Sequence, residues 1–294
     1  MAEILSGKPV ADAIDERTVK TVETCISCGI TPTLAILRVG EREDDLSYER
    51  GAVRRCEKTG IRVRKEVLEQ ADPDVFFERM TLLNRDPEVH GILMFQPLPR
   101  GIDPSAARSM LAYSKDVDGC TDDSLAGVFT NTEKGFAPCT AQSAMEILKY
   151  YHIPISGKKA VVIGRSLVVG RPVAMMLMHE NATVTVCHTK TENVAAVARD
   201  ADILIAASGQ MESIGTEYLR PHQVVIDVGI GWNEKKQKLC GDVRFEEAEG
   251  IVSALTPVPG GVGSVTTSVL ANHVACAATR MADQKQDLRK GSDK

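Results

Sequence analysis

The sequence has no long apolar run: its longest stretches fall well short of the about 18 residues that a membrane-spanning helix needs, so no span is expected. It has no excess of positive charge. Thirty-five Lys and Arg against 40 Asp and Glu leave a net charge of −5, which excludes the general basic footprint of a nucleic-acid-binding protein. It has no disulfide framework, since its eight cysteines are scattered. Cys25 and Cys28 form one CxxC, but no second Cys or Cys/His pair follows at zinc spacing, so they read as thiols near a helix end and no metal site is expected. No signal peptide is recognisable at Met1-Ala2-Glu3, which gives the expectation of a reduced, cytoplasmic protein. Internal repeats are absent, and the only biased segment is the charged tail 283–294, expected to fray.

What is present is a chain of 294 residues, 43% of them apolar, enough for one large or two ordinary domains. It is organised around Lys158 to Pro172. Ala160–Ile163 is a short β-branched run that reads as a buried parallel strand. Gly164 permits a sharp turn at its carboxyl end. Arg165 and Ser166 then stand where backbone amides at a helix N-terminus meet a pyrophosphate, and Gly170 lets that helix pack closely. The spacing is Gly-x-Ser-x-x-x-Gly rather than the common G-x-G-x-x-G.

Around this motif the chain alternates strands and helices. Expected are a helix over 8–28, a strand over 33–39, a solvated acidic loop over 41–45 and a helix over 46–60. A strand over 61–67, a helix over 74–84 and a strand over 89–95 follow. Residues 100–140 read as a hinge region, with Thr140 capping a helix over 141–151. Beyond the central strand come a helix to about 180, a strand over 183–187, a helix over 191–199 and strands over 202–206 and 224–228. A turn-dense loop, 256–263, precedes a last helix over about 265–282. The β-α-β order predicts an α/β protein with parallel sheets covered by helices.

Ligands of such sheets bind beyond the carboxyl ends of the strands. After the strand at 183–187 an acidic residue would hold the ribose 2′-hydroxyl of NAD, and none is there. His188-Thr189-Lys190 stands there instead, with Arg165 after the neighbouring strand, which favours NADP because its 2′-phosphate needs donors and positive charge. His188 reads equally well as a packed loop histidine, and Lys190 as a solvated one.

The motifs then become distinctive. Lys115-Asp116-Val117-Asp118-Gly119, Pro138-Cys139-Thr140, Gly164-Arg165-Ser166 with Val169-Gly170 and Pro172, Asp227-Val228-Gly229-Ile230, Gly241-Asp242-Val243 and Thr256 to Gly263 occur in order. In them, along nearly its whole length, the chain resembles the methylenetetrahydrofolate dehydrogenase/cyclohydrolase family. The resemblance implies an N-terminal α/β folate domain (1–139, completed by the C-terminal helix at about 265–282) and a Rossmann-type doubly wound dinucleotide-binding domain (140–264). A folate cleft would lie between them. It implies NADP contacts from Gly164, Arg165, Ser166, Thr189 and Ile230, a homodimer, and a place in one-carbon metabolism serving purine biosynthesis. It sets Tyr48 against the folate rings and Asp118 on the pterin. A carboxylate suits the adjacent N–H donors of a pterin; by itself, Asp118 reads as a turn former and Tyr48 as an ordinary helix-face aromatic.

The sequence departs from the family pattern at the chemistry. The family places a lysine four residues after the tyrosine, and here that position is Ala52. The family's third strand usually ends Val-Gln-Leu-Pro-Leu-Pro, its glutamine contacting that lysine; here Phe95 replaces the glutamine, and Gln96 is one residue off. Arg50 faces elsewhere, and Arg55 is roughly 10 Å further along a helix. Ser264-Val265 stands where the family usually has Pro-Met. Oxidising the methylene bridge requires a hydride to move between two oriented rings. The cyclohydrolase step instead requires protons to move off water and onto nitrogen, which suits a lysine of lowered pKa. The reading is therefore an NADP-linked methylenetetrahydrofolate dehydrogenase with weak or absent cyclohydrolase activity. Three alternatives stand beside it: the full bifunctional enzyme using another base or a water, another Rossmann dehydrogenase acting on a small imine or amino acid, and a non-catalytic NADP- or folate-binding protein.

Overall fold

A computed structural model gives the fold; it describes the backbone of residues 1–292 and side chains through Asp283. The chain gathers into two compact units. One comprises Ala13–Gly127, Thr132–Ala137 and the chain from Thr267 onward; the other comprises Met1–Asp12, Val128–Asn131 and Pro138–Thr266. The chain opens with a short strand, β1 (Glu3–Ile4), and a long helix, α1 (Gly7–Ser27).

The first unit holds β2 (Thr33–Val39), α2 (Glu43–Thr59), β3 (Arg62–Leu68), α3 (Pro73–Arg85) and β4 (Gly91–Met94). Its strands are parallel in the order β3-β2-β4. The central strand β2 is an apolar run because both of its faces are covered. On one face Phe76, Met80 and Leu83 of α3 join Ala35, Leu37, Ile92 and Met94 in a single core. Asp72 caps α3 by accepting the Val75 N–H at 3.2 Å, with Pro73 in the first turn. The acidic segment expected as a solvated loop instead starts α2: Glu43, Asp44 and Asp45 form its first turn, where the helix dipole favours acids. The expected hinge over 100–140 carries α4 (Pro104–Met110), a 3₁₀ turn (Tyr113–Lys115) and α5 (Asp122–Thr130).

In the second unit α6 (Cys139–Tyr150) begins earlier than expected. Pro138 rather than Thr140 is its N-cap residue, because the Pro138 carbonyl already accepts the Gln142 N–H at 2.9 Å. Then come β5 (Lys159–Ile163), α7 (Gly170–His179), β6 (Thr183–Cys187), α8 (Val194–Arg199), β7 (Ile203–Ala206) and β8 (Val224–Asp227). A hairpin of β9 (Gly231–Asn233) and β10 (Lys238–Cys240), a helix α9 (Phe245–Glu249) and a strand β11 (Ala254–Leu255) complete it. The main sheet is parallel in the order β1-β11-β8-β7-β5-β6. The chain start, assigned from the sequence to the N-terminal domain, thus supplies an edge strand here: Glu3 pairs with Ala254. α8 is shorter than expected because Asn193, at φ 49, caps it by accepting the Ala196 N–H at 3.3 Å. α10 (Thr266–Ser292) passes its expected end near 282, where Met281 to Lys290 offers no Gly or Pro to stop it. The side chains of the expected charged tail beyond Asp283 lie outside the described residues. Among the described residues no helix is long and apolar enough to cross a membrane.

Candidate active site

The strand order of the second unit reverses between β5 and β7, the point beyond which doubly wound sheets bind ligands. Gly164 leaves β5 there with φ 129, a backbone region that glycine enters freely. A Cβ on Gly164 would collide with the Ala207 carbonyl, and one on Gly170 would collide with the Gly164 carbonyl. The two glycines therefore let the end of β5, the segment at Ala207 and the start of α7 pack backbone against backbone. α7 begins only at Gly170, so Arg165 to Val169 form a loop rather than the expected first helical turn. Ser166 shapes that loop: its hydroxyl accepts the Val169 N–H at 3.1 Å. Ile163 pairs with Cys187, so exposed Arg165 and exposed Thr189 each stand two residues past the ends of neighbouring strands. His188 is a packed turn residue, whose Nδ1 accepts the Lys190 N–H at 3.2 Å. Ile230 follows β8 and is 62% exposed.

Two buried acids in this unit were motif residues without a role in the sequence reading. The Asp227 carboxylate accepts N–H groups from Gly229 (3.0 Å), Asp242 (3.0 Å) and Val243 (2.9 Å). Asp242 Oδ2 accepts the Ser208 N–H (2.6 Å), the Ser208 hydroxyl (2.9 Å) and the Gly209 N–H (3.0 Å). A Cβ on Gly241 would strike the Asp227 carboxylate, and one on Gly229 the Asp242 carboxylate. Burial pushes the Asp227 carboxyl up, the amides of Val243 and Asp242 pull it down and the Asp242 charge pushes it up again, leaving it at about 7. The signal in the sequence was a strand ending in Asp, followed by Gly-Asp-Val at a distance; the pairing itself needed the fold.

In the first unit Tyr48 is half-buried on α2. The Phe95 ring meets it edge to face, with centroids 6.1 Å apart and planes at 88°. Ala52, one helical turn on, is fully buried. β4 ends at Met94, so Phe95 and Gln96 lie just past the strand that was expected to include Phe95. Arg42 ties this segment to α2, donating to Asp45 at 2.6 Å and to the Gln96 carbonyl at 3.0 Å. Four basic groups of this unit are held in ion pairs. Arg55 and Lys58 reach Asp15 at 2.6 and 2.8 Å, and Arg38 and Lys65 reach Glu49 at 2.7 and 2.8 Å. Arg38 and Glu49 are both buried, a pair that a single charge inside the apolar β2 run could have signalled. Burial works to raise the Glu49 carboxyl, but Lys65 and Arg38 outweigh it and hold the group below its ordinary value.

Asp118 sits half-buried in a turn whose other members are structural. Lys115 Nζ donates to the carbonyls of Leu83 (3.0 Å) and Asp86 (2.6 Å). Asp116 accepts from the Cys120 and Thr121 N–H groups and from the Ser124 hydroxyl, at 3.0, 2.7 and 2.7 Å. Val117 packs against Gly91 at the start of β4, and its carbonyl lies 2.9 Å from His273 Nδ1. All eight cysteines are free thiols, and burial pushes that of Cys56 up to about 12.

Residues 5–118 match the family description "Tetrahydrofolate dehydrogenase/cyclohydrolase, catalytic domain", and residues 138–282 match "Tetrahydrofolate dehydrogenase/cyclohydrolase, NAD(P)-binding domain". The chain is 49% identical over 279 residues to the bifunctional protein FolD of Carboxydothermus hydrogenoformans, covering 94% of this chain and 97% of that one. It is similar to the crystal structure of the bifunctional methylenetetrahydrofolate dehydrogenase/cyclohydrolase of Campylobacter jejuni, with TM-score 0.92, 36% identity and coverage of 95% and 99%. The Trypanosoma brucei dehydrogenase-cyclohydrolase, solved with NADP and an inhibitor, matches with TM-score 0.88, 32% identity and coverage of 95% and 98%.

Proposed function

This chain belongs to the tetrahydrofolate dehydrogenase/cyclohydrolase family, and from that premise we propose that it oxidises 5,10-methylenetetrahydrofolate to 5,10-methenyltetrahydrofolate with NADP, its cyclohydrolase step being weak or absent. One observation carries the second half: the Phe95 ring lies against Tyr48, and Ala52 is buried one turn further along the same helix. An apolar side chain thus occupies each position where the family pattern has a proton-handling lysine and its amide partner.

The turn at Gly164, between the end of β5 and the start of α7 at Gly170, stands where a strand–helix junction receives a dinucleotide pyrophosphate. When bound, NADP supplies the acceptor for the hydride that leaves the substrate's bridging carbon. Gly164, Arg165, Ser166, Thr189 and Ile230 are the residues that would hold it, Arg165 and Thr189 meeting the 2′-phosphate. Tyr48 would orient the folate rings, and Asp118 would accept the pterin N–H groups. Hydride loss leaves a cation shared by two nitrogens and asks for no proton transfer, so orientation suffices. Ring opening by water needs a group to take and return protons, and losing such a group costs about 10²–10⁴-fold in rate.

In this reading Ala13–Gly127 with the last helix forms the folate-binding unit, and Pro138–Thr266 forms the NADP-binding one. The working protein is a homodimer in the cytoplasm. A second reading, the full bifunctional enzyme giving 10-formyltetrahydrofolate, is favoured by the bifunctional naming of a 49% identical relative. A two-wavelength assay separates them. NADPH and methenyl cation rising together in near-equal amounts supports the first reading; NADPH rising without the cation overturns it. No NADPH at all would leave a binding protein.

A further inference from the structure

We propose that Asp227 and Asp242 are positioning residues for the dinucleotide, fixing the loops after β7 and β8 to each other and so placing Ile230 relative to the turn at Gly164. The inference rests on the second unit being the dinucleotide binder.

The two carboxylates are interlocked. Asp227 ends β8 and grips the backbone of Asp242 and Val243; Asp242 reaches back and grips Ser208 and Gly209, which follow β7. β7 and β8 are neighbours, with Ala206 paired to Asp227. β7 also neighbours β5, and the Gly164 backbone abuts Ala207, the residue before Ser208. An unbroken line of contacts therefore runs from Gly164 through Ala207, Ser208, Asp242 and Asp227 to Gly229, one residue from Ile230. The acceptors are buried, with Asp227 3% and Asp242 1% exposed. Gly229 and Gly241 are needed because any side chain would enter the space of the facing carboxylate. The Asp227 N–H is itself held by the Thr256 hydroxyl at 2.7 Å, which ties the end of β11 into the same knot. Ser208 and Gly229 lie beyond adjacent strand ends, so the knot sets the width of the surface that a ligand meets there.

An amide at position 242 brings an NH₂ group into a ring of donors, whereas alanine removes the acceptor altogether. Loosened loops must then be ordered on binding, which lowers affinity without removing a direct contact. The test uses the full-length protein and NADP itself. Asp242→Ala is expected to weaken NADP binding by at least about tenfold, or about 1.4 kcal/mol. Asp242→Asn, which keeps one acceptor oxygen, should lose less, and KM for methylenetetrahydrofolate should change less than about twofold. If Asp242→Ala does not fold, Asp242→Asn and Ser208→Ala are read by the same split between the two KM values. Folded variants with wild-type NADP affinity, or with both KM values raised together, would overturn the proposal. Wild-type protein that binds neither NADP nor NAD would overturn the dinucleotide reading and this inference with it.

Discussion

Restoring the missing proton-handling pair tests the reading at its sharpest point. In Ala52→Lys, a side chain with four more heavy atoms enters a fully buried position. Overpacking alone costs about 1–3 kcal/mol. Desolvation would bring the ammonium from about 10.4 to near 7, at a cost of about 4–5 kcal/mol. The sum is a large part of the stability of an ordinary domain, about 5–15 kcal/mol, so the single variant should be strongly destabilised, and with no acceptor to orient its ammonium it should be inactive in hydrolysis. Phe95→Gln removes the edge-to-face contact with Tyr48, worth about 0.5–1.5 kcal/mol, and supplies an amide oxygen for the ammonium. The double variant should therefore be more stable than the sum of the singles by about 0.5–3 kcal/mol. Its hydrolysis of methenyltetrahydrofolate should exceed the wild type's by about 10²-fold or more. Thermal denaturation and the decay of methenyltetrahydrofolate against buffer measure both effects. Rapid hydrolysis by the wild-type protein would refute the reasoning outright. A folded double variant with strictly additive stability and no hydrolysis would show that the two positions do not cooperate.

Other outcomes follow from the same geometry. Arg165→Ala should erode the preference for NADP over NAD, and equal kcat/KM for the two cofactors in the wild type would refute that assignment. Asp118→Ala should cost about 1.5–3 kcal/mol of folate binding, tenfold or more in Kd, with NADP binding intact; unchanged folate affinity would remove Asp118 from the site. Glu49→Gln removes the charge that neutralises buried Arg38 and should lower stability by about 3 kcal/mol, whereas the joint change Arg38→Met with Glu49→Leu should cost much less. Glu49 is held below its ordinary 4.5, so its contribution is present above that pH and fades as pH falls through the folded value. Asp227 behaves oppositely. Raised from 3.8 to about 7, it is most favourable when protonated, so its contribution is full below about 3.8 and is lost as pH rises through about 7. Asp227→Asn should flatten that part of the stability–pH curve, and a curve identical to wild type between pH 4 and 7 would refute the shift.

What the sequence made legible were features whose cause is local. The apolar run at β2 and the turn at Gly164 are each read from neighbouring residues, and the structure has both, although the helix expected right after that turn starts only at Gly170. The start of α2 was misread because Glu43-Asp44-Asp45 is equally good as a solvated loop and as an acidic first turn. β1, β9, β10 and β11 are two or three residues long, too short to show a period, and exist because neighbours supply their hydrogen bonds. Partnerships between distant residues escaped altogether. Asp227 and Asp242 stand fifteen positions apart in the chain, and only the closing of the loop between them brings the carboxylate of one to the backbone of the other. Tyr48, one of the two proposed folate contacts, has Phe95 as its neighbour, and the turn that carries the other, Asp118, is scaffolded by Lys115 and Asp116.

The β9–β10 hairpin has an optical consequence. Trp232, the chain's only tryptophan, is 53% exposed on β9, two residues past Ile230 and paired across the hairpin with Leu239. Indole emission from this protein therefore comes from a single address at the rim of the second unit. The first unit is silent at wavelengths that excite tryptophan alone, so a titration followed there reports events at the hairpin without labels, separately from whatever occurs around Tyr48.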